Sequence, residues 1–160
     1  MAYHPNLKKN PNATVSSIEE LDYLSSTVAE IIVNTGVSGS KLTELDLSRF
    51  HQLKVLEIGD YCFCYVKEVK LIGLSKLESV EIGKNSFTMK RRGRIPGYSF
   101  YLKDCPKLKS LKIGHSSFPD YSVCEIENVE ALGVIEIGES SINSKCFFYA
   151  SLELKSNPDS

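Results

Sequence analysis

Leu53-Lys54-Val55-Leu56-Glu57-Ile58-Gly59-Asp60-Tyr61-Cys62-Phe63 is a pattern that the chain repeats. Its skeleton, Leu-x-x-Leu-x-Ile-Gly-x-x-x-Phe, returns from Leu77 to Phe87, with Val80 at the second leucine, and from Leu108 to Phe118. It returns once more from Leu132, with Ile142 in the last place. The Ile-Gly pairs at Ile58, Ile82, Ile113 and Ile137 are 24, 31 and 24 residues apart. A seven-residue insertion near Arg91 to Gly97 accounts for the longer step. Fixed-period self-similarity of this length is the mark of a stacked-repeat architecture.

Working outward from that register, each repeat shows seven apolar columns. The first repeat supplies Leu45, Leu47, Phe50, Leu53, Leu56, Ile58 and Phe63. The fourth supplies Cys124, Ile126, Val129, Leu132, Ile135, Ile137 and Ile142. The period-two step from Leu56 to Ile58 predicts a short strand, and Leu45-x-Leu47 predicts a second extended segment on the opposite wall of each coil. The glycine after the strand permits either a positive φ or a close backbone approach. One coil cannot bury both of its faces alone, so a fragment of one or two repeats is expected to be unfolded. The fold expected is α/β or mainly β: a single solenoid with a parallel sheet of short strands, capped at both ends.

Leu-x-x-Leu-x-Ile is also the strand signature of leucine-rich repeats. The 24-residue unit with its trailing Ile-Gly-x-x-x-Phe resembles the divergent BspA-like arrays, whose unit reads I-G-x-x-A-F and then C-x-x-L-x-x-V/I-x-I. Ile58 to Phe63, Ile82 to Phe87 and Cys105 to Ile113 carry the likeness, which spans about residues 42–142. The chain departs from it where Cys62, Ser86, Ser117 and Ser141 replace the usual alanine, and it lacks the asparagine of other leucine-rich repeats. The resemblance implies a binding or adhesion surface.

Around this array, residues 1–15 are polar, interrupted by Pro5 and Pro11, and predict a disordered tail. The solenoid is expected over 16–155, with a cap at 16–41, repeats at about 42–142 and a partial repeat or hairpin at 143–155. Residues 156–160 read as a tail. Ser16 and Ser17, followed by Glu19 and Glu20, predict a capped short helix before Leu21 and Leu24. Val28, Ile31 and Val33 read as a degenerate first strand. Asn12-Ala13-Thr14 is a glycosylation sequon, expected to be fortuitous in a chain without a secretory route.

With 160 residues, 42% apolar and 24% charged, the chain suits one packed domain. A net charge of −1 excludes a global pull toward nucleic acid or membrane. No apolar run reaches the roughly 20 residues of a membrane span, and the first thirty residues hold no hydrophobic signal segment, which points to the cytoplasm. The five cysteines are expected as free thiols, with a structural disulfide or a metal as alternatives. Cys62 and Cys64 sit on one face if their segment is extended, while Cys105 and Cys124 fall in core columns.

Function is expected at the outward positions between the columns. The middle strand position reads Glu57, Glu81, Lys112 and Glu136, and just after the strand come Asp60, Lys84, His115 and Glu139. This face reads as a solvated sheet surface, as a concave surface for a partner, or as a cation site between Glu57, Asp60 and Glu81. The insertion concentrates Lys90, Arg91, Arg92 and Arg94, a loop that is either simply solvated or a grip for an anion, with Tyr98 and Tyr101 near enough to stack on bases. No phosphate loop, dinucleotide fingerprint or nucleophile elbow occurs. The expectation is a non-enzymatic module, without cofactor, that binds another protein. The alternatives are adhesion to carbohydrate as part of a longer surface array, anion binding through the basic loop, and an enzyme not evident from motifs. The sequence sets no oligomeric state.

Overall fold

A computed structural model describes residues 11–88, 97–138, 145–147 and 150–156. The elements in chain order are β1 (Asn12–Val15), α1 (Ile18–Asp22), β2 (Glu30–Val33), β3 (Glu44–Asp46), β4 (Val55–Ile58) and β5 (Glu68–Ile72). They continue with β6 (Ser79–Ile82), β7 (Ser99–Lys103), β8 (Ser110–Ile113), β9 (Val123–Glu127), β10 (Val134–Ile137) and β11 (Ser151–Lys155). All the strands are parallel to their neighbours, in two sheets ordered β1-β2-β4-β6-β8-β10 and β11-β9-β7-β5-β3. From β2 onward the chain passes from one sheet to the other and adds each new strand beside the one laid down a repeat earlier. The reason is the alternating pattern: Leu56 and Ile58 turn inward from β4, Val69 and Leu71 from β5, and both pairs enter one core.

The register is the one the 24-residue period sets. Glu57 lies beside Glu81, Glu81 beside Lys112, and Lys112 beside Glu136. The degenerate first strand is present as β2, with Val28, Ile31 and Val33 buried. The disordered tail is corrected at its end: residues 12–15 form β1, since Ala13 and Val15 alternate into the core and β2 offers a free edge. Ser17 caps α1 by accepting the Glu20 amide at 3.1 Å, and the Glu20 carboxylate accepts the amide of Ser16 at 2.6 Å. The box therefore closes one residue further back than the standard pattern.

The turn after each first-sheet strand is where local geometry and core meet. Tyr61 and Phe63, Asn85 and Phe87, and Ser116 and Phe118 all adopt the left-handed region, with φ between 53° and 58°. Cys62 and Cys64 therefore do not share one face of an extended segment, because left-handed residues on either side of each bend the backbone. Gly59, Gly83 and Gly114 serve by close approach, since a Cβ at each would lie within 2.6 Å of the backbone of the preceding turn or of Asp60 Oδ1. The phenylalanines form a ladder: Phe87 and Phe118 stack at 4.5 Å, and Phe118 and Phe147 stack at 4.8 Å. Beside it runs a polar ladder. Ser86 Oγ donates to the Gly59 carbonyl at 3.0 Å and accepts the Cys62 amide at 3.1 Å, satisfying backbone groups that burial would otherwise leave unpaired.

The end of the array differs from expectation. Cys146-Phe147 takes the place of Ser117-Phe118 in the next turn, with Cys146 Sγ donating to the Gly114 carbonyl at 3.0 Å. Ser141 and Ile142, assigned to that place by a strict 24-residue step, lie outside the described residues. The fourth repeat is not fully enclosed: Ile135 is 44% exposed, and Val129, Leu132 and Ile137 are only partly buried. No described strand lies beyond β10 to cover them. The segment at 143–155 does not make a hairpin, because β11 pairs parallel with β9.

Candidate outer-sheet interface

The two sheets present opposite kinds of outer face. On the second sheet the strands carry cations between carboxylates. Lys70 Nζ lies 3.0 Å from Glu44 and 3.4 Å from Glu68, and Lys103 Nζ lies 2.6 Å from Glu125 and 3.6 Å from Glu127. Lys155 pairs with Glu153 at 2.7 Å. Hydrogen bonding to Glu44 and Glu125 pushes the ammonium groups of Lys70 and Lys103 above their ordinary range. These groups are open to water, so the pairs fix geometry more than they add stability. The face is therefore largely paired, Asp46 excepted, although its six carboxylates outnumber its three ammoniums.

The first sheet is not. Its outward column runs Ile32, Glu57, Glu81, Lys112, Glu136 at the spacing of adjacent strands, about 4.8 Å. Lys112 pairs with Glu136 at 3.8 Å, at the far end. The adjacent Glu57 and Glu81, both exposed, have no ion pair among the described residues. Asp60 beside them accepts the backbone amide of Lys84 at 2.9 Å. Ile32, Asn34, Thr35, Glu57, Asp60 and Glu81 border a shallow depression of about 320 Å³. The sequence thus located this column, while its pairing depends on rotamers that spacing does not encode.

No protein-family model, no curated protein and no solved structure matches the chain.

The remaining site residues fall differently. Lys90, Arg91, Arg92 and Arg94 lie outside the described residues. Among the described residues no three His, Cys, Asp or Glu side chains converge as a metal site, Glu57, Asp60 and Glu81 included. No described helix is long and apolar enough to cross a membrane. All five cysteines are free, and Cys62, Cys105 and Cys124 are buried. Tyr101 faces outward beneath the Lys103 ammonium, 5.1 Å from its ring centre, while Tyr98 is buried against Tyr121. Tyr98 is therefore no base-stacking platform. Among the described residues the exposed aromatics are Tyr23, at the end of α1, and Tyr61 and Tyr65, a pair in one turn that sequence reading passed over. Their signal was available, since at their positions the next repeats carry Asn85 and Ser116, and Met89 and Asp120.

Proposed function

We propose that this chain is a leucine-rich-repeat solenoid of the BspA-like kind, working as a non-enzymatic module that binds another protein through the outer face of its first sheet. The alternation of strands between two parallel sheets, each growing in chain order, supports the solenoid. The observation that carries the function is the contrast in pairing between faces: the second sheet pairs five of its carboxylates with lysines, while Glu57 and Glu81 stand adjacent, exposed and unpaired beside Ile32. A surface with an apolar residue flanked by uncompensated carboxylates suits a cationic segment that carries an aliphatic anchor. Adhesion to carbohydrate is the second reading, favoured by exposed Tyr61 and Tyr65 in one turn, whose rings offer apolar faces with polar tips.

The test is an array of peptides of graded charge probed with the full chain, beside an array of glycans. Cationic peptides are expected to bind, more weakly as salt rises, and the Glu57→Lys/Glu81→Lys variant to lose at least about tenfold in affinity. Glu125→Lys on the other sheet is the control and leaves binding unchanged. Peptide binding indifferent to the double variant would overturn the assignment of the face. Glycan binding that Tyr61→Ala/Tyr65→Ala abolishes would replace protein recognition with adhesion.

A further inference from the structure

The two ends of the core are finished differently. At the first end α1 lies across it, with Leu21 and Leu24 buried. Arg49, which follows β3, fastens α1 by donating to the carbonyls of Leu24 at 2.9 Å, Leu21 at 3.1 Å and Asp22 at 3.3 Å. At the other end the sheets finish at β10 and β11, whose far edges have no strand partner among the described residues. The inward columns reach these strands uncovered. Ile135 follows the buried Leu111 and is 44% exposed; Leu154 follows the buried Ile126 and is 58% exposed. Val134 adds a further 43% exposed aliphatic on β10. Free strand edges beside uncovered aliphatic side chains form a template for another strand.

We propose that a second copy of this chain covers that end, tail to tail about a two-fold axis, with β10 and β11 each running antiparallel to its own counterpart. Head-to-tail stacking is disfavoured, because the inward residues of the first-end strands, Ala13, Val15 and Leu45, are already buried and offer no uncovered apolar surface to Ile135 and Leu154. A self-complementary contact remains for two copies, and a two-fold contact closes at the dimer.

The side chains of β11 fix the register. Directly opposite residues of an antiparallel pair share one face. Centring the pair on Leu154 sets the two inward Leu154 side chains together and places each Glu153 opposite Lys155 of the second copy, so both outward pairs are of opposite charge. Centring on Glu153 would set like charges face to face. A one-residue slip would put Leu154 opposite outward charges. Glu153 and Lys155 lie on the solvent face, 2.7 Å apart within one chain, so in the dimer they extend into a four-charge cluster.

The experiment is sedimentation equilibrium of the full chain over roughly 1–100 µM, a range set by ordinary dimer affinities. The expected species has twice the mass of one chain. Leu154→Lys is expected to give a monomer with unchanged circular dichroism, because the replaced side chain is mostly in solvent. Glu153→Lys and Lys155→Glu should each raise the dimer dissociation constant at least about tenfold, by placing like charges opposite one another, and the double variant Glu153→Lys/Lys155→Glu should restore it. Glu57→Lys/Glu81→Lys leaves the dimer intact, which separates this contact from the outer-sheet interface. A wild-type chain that stays monomeric, an assembly larger than a dimer, a dimer that survives Leu154→Lys, or a double variant no better than the single ones would each overturn the proposal.

Discussion

The Ser117 hydroxyl donates to the Gly83 carbonyl at 2.7 Å, a bond that reaches back 34 residues to the preceding turn. The same oxygen accepts the Ser86 amide at 3.0 Å. One small side chain thus satisfies two backbone groups that a left-handed turn carries into the interior. Cys146 does the donor half of this work one turn later, and Ser86 does all of it one turn earlier.

Ser117→Ala is expected to cost about 1–3 kcal/mol, because it nearly keeps the volume and leaves a buried donor and acceptor unpaired. Ser117→Cys should cost less, since a thiol already fills the equivalent place at Cys146. Urea unfolding read at constant slope measures both. Ser117→Ala within about 0.5 kcal/mol of wild type would show that the ladder contributes nothing of its own.

Arg49 links the α1 cap to the sheets, with its guanidinium on three carbonyls and 4.0 Å above the Phe50 ring. Arg49→Ala should destabilise the protein by about 1–3 kcal/mol and speed amide exchange over residues 18–24 more than elsewhere. Arg49→Lys recovers only part of this, because an ammonium lacks the planar fork that spans several acceptors. Uniform acceleration along the whole chain would instead place Arg49 in the global core.

Burial pushes the Cys105 thiol up to about 11 and the Cys124 thiol up to about 12. Both are therefore neutral at pH 7–9 and should resist alkylation until denaturant is added. The linkage has a definite sign. The unfolded thiols ionise near 9 while the folded ones hold their protons, so the stability they contribute is full below pH 9. It falls as pH rises through 11 and 12. Thermal melts from pH 8 to 11 should show that decline, and Cys105→Ala/Cys124→Ala should flatten it while lowering stability at neutral pH. Labelling of native protein at pH 8 as fast as that of a free thiol would contradict their burial.

Much of this arrangement was legible because the stack is translational. A 24-residue step carries each strand onto its neighbour, so Leu56, Val80 and Leu111 meet in one column and Glu57, Glu81 and Lys112 in the next. Period-two alternation then decides which of those columns is buried. Sequence periodicity therefore determined the strands, their register, the core columns up to Ile126, and the outward row that became the candidate interface.

Tertiary structure decided what breaks the translation or depends on reach. The step from Phe118 to its stacking partner is 29 residues, not 24, because Phe147 reaches the ladder where a strict count selects Ile142. Residues 12–15 became a strand because β2 offered an edge, a condition outside their own polar composition. Lys70 and Lys103 pair with four carboxylates on one face while Glu57 and Glu81 stay unpaired on the other, an outcome of rotamers and cross-strand distance rather than of spacing. Ile135 has the same inward pattern as Leu111, yet it is exposed where Leu111 is buried. Periodicity sets the direction in which a side chain points, and burial also needs a neighbouring strand to cover it.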